Sequence, residues 1–198
     1  MTKCAFVAVA AGAAFAGVSS ATVFTTQASF VAQLQAGFYL ENFASVPTGS
    51  VPSLNFSSGG FSYTVSATGP GTNNLFNDPG IISTDSATDA ILVTFTGGAP
   101  TAVGGNMWST DINFQPFAAA MTITLSDGQT RSFNSSSASD FTGFTSGVAI
   151  TSILIDAADT GGNAWATLDN LYVGRAIPTP GAAALMGVAG LAGLRRRR

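Results

Sequence analysis

Short segments in which apolar residues alternate with serine or threonine recur along the middle of this 198-residue chain. Alternation with period two is typical of a β-strand that buries one face. Asp127-Gly128 follows one of these segments and is a strong hairpin signal. Glycine-, serine- and asparagine-rich stretches separate the segments, so the sequence predicts an all-β fold, an antiparallel sandwich of the jelly-roll type. The predicted strands lie at 61–66, 91–96, 121–126, 129–133, 150–156 and 164–173.

One short helix is predicted near the start of this region, from Gln27 to Ala36. Thr26 is a suitable N-cap, and Gly37 is a suitable stop. Phe30 and Leu34 are four residues apart and share one helix face. We expect that face to cover one end of the sandwich.

The missing residue types exclude several chemistries. The chain has no histidine and a single cysteine, Cys4, in a segment that we expect to be removed. A Ser-His-Asp unit, a zinc site with imidazole ligands, and a disulfide in the mature protein are therefore excluded. The body, residues 22–176, holds two arginines against all ten acidic residues, a formal net charge of −8. That sign opposes binding to a phosphate backbone, so nucleic acid is not an expected partner.

The N-terminal residues 1–21 have the pattern of a secretory signal peptide. Lys3 precedes an apolar run that is predicted to be helical, and the small residues Ser19 and Ala21 stand where a signal peptidase reads the chain. The expected partners are the Sec machinery and signal peptidase, with cleavage after Ala21. The alternative is a buried N-terminal helix, although the run lacks the polar face of an amphipathic helix.

The C-terminal residues 177–198 have three parts: a proline motif, an apolar stretch from 182 to 194 that is predicted to be helical, and a basic end. The motif is Pro178, Thr179, Pro180 and Gly181, and the basic end is Arg195, Arg196, Arg197 and Arg198. Terminal arginines stay on the cytoplasmic side of a membrane, which places the body outside. The apolar stretch is short for a bilayer span, which needs about 17–25 residues.

This tail resembles the PEP-CTERM sorting signal of Gram-negative bacteria. The resemblance implies temporary retention in the inner membrane, recognition by an exosortase, and release to the cell surface or the extracellular polysaccharide matrix. Thr179 stands where glutamate is commonest in that family. The alternative is a plain membrane anchor that is never cut.

A second resemblance lies in the body, where an Ile-Thr-Ser-Ile segment at 150–153 leads to Leu-Asp-Asn-Leu at 168–171. This pair is similar to the last hairpin of galactose-binding-like and other carbohydrate-binding jelly rolls, in which an aspartate of the closing strand often binds structural calcium. Asp169 and Asn170 are the candidate calcium ligands, because an unpaired carboxylate in an apolar strand needs compensation. The alternative is that Asp169 accepts backbone N–H bonds. No other cofactor is expected.

Aromatic and acidic residues in the body suggest sugar binding. Trp108 follows a glycine-rich approach and precedes Asp111, so a flat ring and hydrogen-bond acceptors are close in sequence. Trp108 and Asp111 are therefore the candidate carbohydrate contacts, and Trp165, Tyr63 and Tyr172 are further aromatic candidates. The alternative for both tryptophans is ordinary core packing.

The sequence predicts an exported, non-enzymatic protein that has a structural or adhesive role at the cell surface or in the biofilm matrix. A carbohydrate-binding module for exopolysaccharide is the first alternative. A secreted glycoside hydrolase is a remote alternative, since such an enzyme needs two carboxylates at a defined separation across a sugar, for example Glu41 and Asp111.

Overall fold

The computed structural model describes residues 21–158, 161 and 163–178, and within them the chain forms one short helix and fourteen strands. The helix is α1 (Gln27–Val31). The strands are β1 (Thr22–Phe24), β2 (Tyr39–Glu41), β3 (Gly49–Val51), β4 (Ser53–Ser58), β5 (Phe61–Thr68), β6 (Leu75–Asp78), β7 (Ile81–Thr84), β8 (Ala90–Gly97), β9 (Ala102–Thr110), β10 (Ala119–Leu125), β11 (Thr130–Ser135), β12 (Phe141–Thr145), β13 (Ser152–Ala157) and β14 (Trp165–Gly174).

The strands build two antiparallel sheets. The larger has the order β1-β12-β9-β14-β7-β6-β3, and β2 also pairs with β14. The smaller has the order β11-β10-β13-β8-β5-β4. The predicted antiparallel, all-β sandwich is therefore confirmed, and the predicted hairpin at Asp127-Gly128 joins β10 to β11.

The main core lies between the two sheets. Strand β5 alternates buried and half-buried residues, as expected for a strand that covers one face of the core. Val65, Ile91 and Ile153 are fully buried on the smaller sheet, and Met107 and Leu168 are fully buried on the larger sheet. Burial of such side chains is the dominant stabilising contribution in a body without disulfides.

The opposite face of the smaller sheet carries hydroxyl and amide side chains. Neighbouring strands connect these groups: the Thr64 hydroxyl donates to Asn55 Oδ1 at 2.7 Å, and the Thr122 and Ser132 hydroxyls lie 3.2 Å apart. Cross-strand polar pairs of this kind stabilise a sheet face that is in contact with water. The smaller sheet thus presents a polar face of mostly uncharged hydrogen-bonding groups, with the exposed carboxylate of Asp156 opposite Thr122.

The helix is shorter than predicted: it ends at Val31 rather than Ala36. The backbone beyond Val31 pairs with the chain after β14 instead of continuing the helix. Gln35 N–H donates to Arg175 O at 2.8 Å, and Ile177 N–H donates to Gln33 O at 2.8 Å. The predicted N-cap is confirmed, because the Thr26 side chain accepts a hydrogen bond from Ser29 N–H at 3.3 Å.

Helix α1 covers one end of the outer face of the larger sheet, whereas we expected it to cover one end of the sandwich. Phe30 is fully buried there, with ring centroids 5.6 Å from Phe141, 5.9 Å from Phe24 and 6.2 Å from Tyr172. The helix can approach closely because the strand below has Gly143, where a Cβ would lie 2.5 Å from the Phe30 ring. This second, smaller core leaves the other end of the same sheet face uncovered by helix.

Substitution Phe30→Ala is expected to lower the free energy of unfolding by about 3–5 kcal/mol, because it removes the ring at the centre of this cluster. Urea unfolding followed by circular dichroism measures the change. Phe117→Ala is the matched control, since the Phe117 side chain is 37% exposed, and about 1 kcal/mol or less is expected there. Equal losses in both variants would contradict the placement of α1.

Candidate ligand pocket

A pocket of about 210 Å³ lies on the outer face of the larger sheet, at the end that α1 does not cover. We call it the Trp165 pocket. Four elements meet there: β6, the end of β7, the start of β14, and the loop after β9. Its lining combines aromatic, hydroxyl and carboxylate side chains: Phe76, Ser83, Thr84, Asp85, Asp111, Ile112, Phe114 and Trp165.

The sheet register positions the middle of the pocket. Trp165 opens β14 and stands opposite Thr110 of β9. Beside this pair, buried hydroxyls form a chain: Thr110 and Thr167 lie 3.0 Å apart, Thr167 donates to Ser83 at 3.1 Å, and Ser83 donates to Ala166 O at 3.2 Å. The hydroxyls fix the strands below the pocket, so its aromatic and acidic groups are carried by a rigid support.

The Thr84 hydroxyl, unlike those of Ser83, Thr110 and Thr167, has no hydrogen-bond partner among the described residues. Thr84 lines the pocket and is 2% exposed. An unsatisfied buried hydroxyl costs free energy, about 1–3 kcal/mol. The register pairs Thr84 with Leu75, a fully buried residue of the main core, so this hydroxyl faces the core between the sheets and not the pocket.

The loop after β9 forms one wall, and Asp111 organises it. Asp111 Oδ1 accepts hydrogen bonds from Asn113 N–H at 2.8 Å and Gln115 N–H at 2.9 Å. The turn places Phe114 at φ 60°, with its ring centroid 5.4 Å from that of Phe76. Aspartate suits this position because its short side chain bonds the backbone two residues ahead.

The charge in the pocket is negative and is not neutralised by the arginines that the structure describes. Asp85 Oδ2 accepts a hydrogen bond from the Ser50 hydroxyl at 3.0 Å. The Arg131 guanidinium bonds Phe141 O and Thr142 Oγ1, and that of Arg175 donates to Gly98 O at 3.1 Å. The Trp165 pocket therefore offers two carboxylates beside aromatic rings.

The predicted pair Trp108 and Asp111 is divided by the structure. Asp111 lines the pocket, but the Trp108 side chain is 2% exposed, and its indole N–H has no partner among the described residues. A ring with that exposure cannot stack on a sugar, so its burial favours the core-packing alternative. Trp165 takes the place beside Asp111 instead.

Asp169 and Asn170 lie at a β-bulge of β14, away from the pocket lining. Asn170 has φ 50°; its N–H donates to Asp169 Oδ1, and its Nδ2 donates to Asp169 Oδ2 at 2.8 Å and to Asn106 Oδ1 at 3.2 Å. Burial raises the pKa of Asp169, while the Asn170 N–H bond opposes that shift.

Calcium at this position stays a prediction. In the described part of the chain, no three His, Cys, Asp or Glu side chains are grouped so that they could hold a metal. The Asn170 amide donates to the oxygens that a cation would need. A bound ion would therefore require that amide to turn away.

The other predicted residues have varied positions. Glu41 is 8% exposed; it accepts hydrogen bonds from Tyr39 Oη and Phe43 N–H and is not part of the pocket lining that contains Asp111. Ala21 packs against the main core, and Pro178 is exposed. Ser19, the rest of the sorting motif, the terminal arginines and both predicted apolar terminal helices lie outside the described residues. Within the described ranges, no helix has the length and apolarity of a membrane span.

Two comparisons with known proteins give no match: no family model matches this chain, and neither does any curated protein.

The raised pKa of Asp169 predicts a pH dependence of stability. As pH rises past the ordinary aspartate pKa of 3.8, the unfolded chain loses this proton before the folded protein does. The free energy of unfolding then falls with pH until the folded group also ionises. The asparagine side chain in Asp169→Asn does not ionise in this pH range, so this variant does not show that fall in stability.

We therefore expect the stability of Asp169→Asn relative to wild type to increase between about pH 3 and pH 6. Urea unfolding of both proteins at several pH values measures it. If the difference in free energy of unfolding between the two proteins is constant over this range, or changes in favour of wild type, the claim that burial raises the pKa of Asp169 is wrong.

Proposed function

We propose that this protein is an exported, non-catalytic component of the cell surface or the extracellular polysaccharide matrix, and that its body adheres to saccharides through the Trp165 pocket. The observation that carries the binding part is the combination of Trp165, Phe114 and Phe76 with Asp111 and Asp85 in one pocket. Aromatic rings stack on the apolar faces of sugars, and carboxylates and hydroxyls bond sugar hydroxyls.

The two sheets support an adhesive role in different ways. The pocket is a concave feature of the larger sheet, while the smaller sheet presents a broad polar face that includes the hydroxyls of Thr64 and Thr122 and the carboxylate of Asp156. We propose that the sandwich is of the jelly-roll type. The resemblance to a closing hairpin does not extend to strand pairing, because β13 lies in the smaller sheet and β14 in the larger. In the proposed adhesive role the pocket holds one sugar unit and the polar face remains hydrated against the surrounding matrix.

The export part of the proposal depends on the two chain ends. The signal peptide pattern directs the chain to the Sec machinery, and the tail that begins at Pro178 would direct it to an exosortase, with the inner membrane as a temporary partner. The body contains no cysteine and so needs no disulfide, which means that it can fold in an oxidising or a reducing compartment. The proposed final location is the cell surface or the surrounding matrix.

The binding part predicts that Trp165→Ala lowers affinity for oligosaccharides roughly five- to thirtyfold, the effect of losing about 1–2 kcal/mol from an aromatic anchor. Trp165→Phe is expected to keep part of the affinity because a ring remains. Glycan-array screening followed by calorimetric titration measures the change, and circular dichroism checks folding.

Phe133→Ala provides the control, since Phe133 lies on β11 of the other sheet, beneath the Arg131 guanidinium. Its binding should equal that of wild type. Absence of saturable binding in wild type would overturn the saccharide proposal. Release of reducing sugar that disappears in Asp111→Asn would overturn the non-catalytic part and favour the hydrolase alternative.

The sorting part predicts that replacing Arg195, Arg196, Arg197 and Arg198 with glutamine disturbs retention and processing, because the positive-inside signal is lost. Intact mass spectrometry of membrane and extracellular fractions measures this. In the wild type we expect a product that begins near Thr22 and ends near Pro178. A membrane-bound wild-type product that keeps Leu194 and the arginines would identify a permanent anchor and contradict exosortase cleavage.

A further inference from the structure

We infer that one end of the body lies against the lipid surface of the membrane while the tail is retained there. The contact is made by the exposed side chains of Phe38, Leu40 and Ile177, which we call the exit patch. This inference rests on the proposed retention of the tail, and it adds a lipid-contacting surface and an orientation of the body.

Strand β14 defines the end in question. It runs over ten residues from Trp165, beside the pocket, to Gly174, and the chain then reaches Pro178. At about 3.3 Å per residue, the two ends of this strand are about 30 Å apart. We call the end at Gly174 the exit end. Thr22, where the body begins, lies there too, because β1 pairs with β12 and β12 pairs with the start of β9.

The exit patch is exposed and apolar. The Phe38 side chain is 37% exposed, that of Leu40 41% and that of Ile177 48%. Tyr172 joins the first two, since its ring centroid lies 5.9 Å from that of Phe38 and its register partner is Leu40. Ile177 is held beside them, because its N–H donates to Gln33 O, next to the Leu34 bridge to Ala176. Grouped apolar side chains on a surface mark an interaction site.

The length of the chain brings this patch to the lipid. Only residues 179–181 separate Pro178 from the apolar stretch that begins at Ala182. A chain spans at most about 3.3–3.6 Å per residue, so Pro178 lies within about 14 Å of that stretch. While the stretch is in the membrane, the exit end is confined to the lipid surface. Exposed apolar side chains at that distance gain free energy by entering the interface.

The charges of the connections between strands favour the same orientation. At the exit end lie the connections 59–60, 98–101, 126–129 and 146–151. Asp127 is the only acidic residue in these four described connections, and the exposed Arg175 lines one cleft with Phe38. The connections at the opposite end carry Asp85, Asp89, Asp111 and Asp140. An anionic lipid surface attracts basic groups and repels acidic ones.

This orientation has a consequence for the Trp165 pocket. The pocket lies at the end opposite to the exit patch, so it points away from the membrane. The proposed saccharide site is therefore presented to the matrix while the protein is still attached to the cell.

The test measures solvent access to fluorophores on single cysteines. Cys4 is the only cysteine of the chain, so Cys4→Ser provides the background. Leu40→Cys and Ile177→Cys place the label in the exit patch. Ile112→Cys is the matched control, because Ile112 is apolar and 72% exposed but lines the pocket at the opposite end. The full chain is reconstituted in phosphatidylethanolamine–phosphatidylglycerol vesicles, and the neutral quencher acrylamide is present on both sides of the bilayer.

An apolar face enters the interface by about 5–10 Å, so quenching at positions 40 and 177 is expected to be about threefold weaker than at position 112. Circular dichroism checks folding, and the label at position 177 lies outside the strands, where it disturbs no packing between the sheets. The protection is expected to be independent of the protein-to-lipid ratio.

Equal quenching at all three positions, in protein that floats with the vesicles, would overturn the inference and leave the retention of the tail intact. Protection at position 40 that increases with the protein-to-lipid ratio would identify a second copy as the cover of the patch and would also overturn it. If the protein does not float with the vesicles, the proposed retention and the inference are both overturned.

Discussion

The two central strands of the larger sheet, β9 and β14, must be covered on both faces, and the rest of the architecture depends on how this is done. Every residue of β9 is buried. The smaller sheet covers the inner face with aliphatic side chains, and α1 covers one end of the outer face with Phe30. The remaining part is covered by loops rather than by a regular element, and loops leave concavities. The Trp165 pocket lies where that irregular cover ends.

A single bulge in β14 determines which side chains reach which face. The register of β14 against β9 shifts between Asp169 and Tyr172, where Asn170 adopts a positive φ. Trp165 and Thr167 therefore lie on the outer face, whereas Leu171 and Val173 join the core between the sheets. Without the shift, strict alternation would place all four on one face. The Asp169 and Asn170 side chains bond each other at this point, so their pairing has a structural role in addition to any ligand role.

The sequence predicts five of the six strands of the smaller sheet, because their residues alternate between a solvent-facing side and a buried side. It misses the sixth, β4 (Ser53–Ser58). Strand β9 carries no such alternation, since both of its faces are buried, and Gly104 and Gly105 within it suggest a loop. The predicted helix extends beyond the observed one, because pairing of Gln35 with Arg175 cannot be read from local spacing. The pocket could not be predicted from local sequence for the same reason. Asp111 and Trp165 are each recognisable as candidates, but the order of strands in the sheet, which brings β6, β7, β14 and β9 together, is not evident from the sequence.

The distribution of charge along the chain links the two ends to the pocket. The whole chain has a formal net charge of −3, and the body alone has −8, because five of the seven basic residues lie in the terminal segments. If the tail remains in the membrane, its arginines face the cytoplasm and cannot screen the body on the other side. If the tail is removed, the same arginines leave with it. In either case an exported body would act as an acidic particle, since its two described arginines bond backbone carbonyls away from the pocket. Such a particle would be attracted to cationic matrix components and repelled by anionic ones.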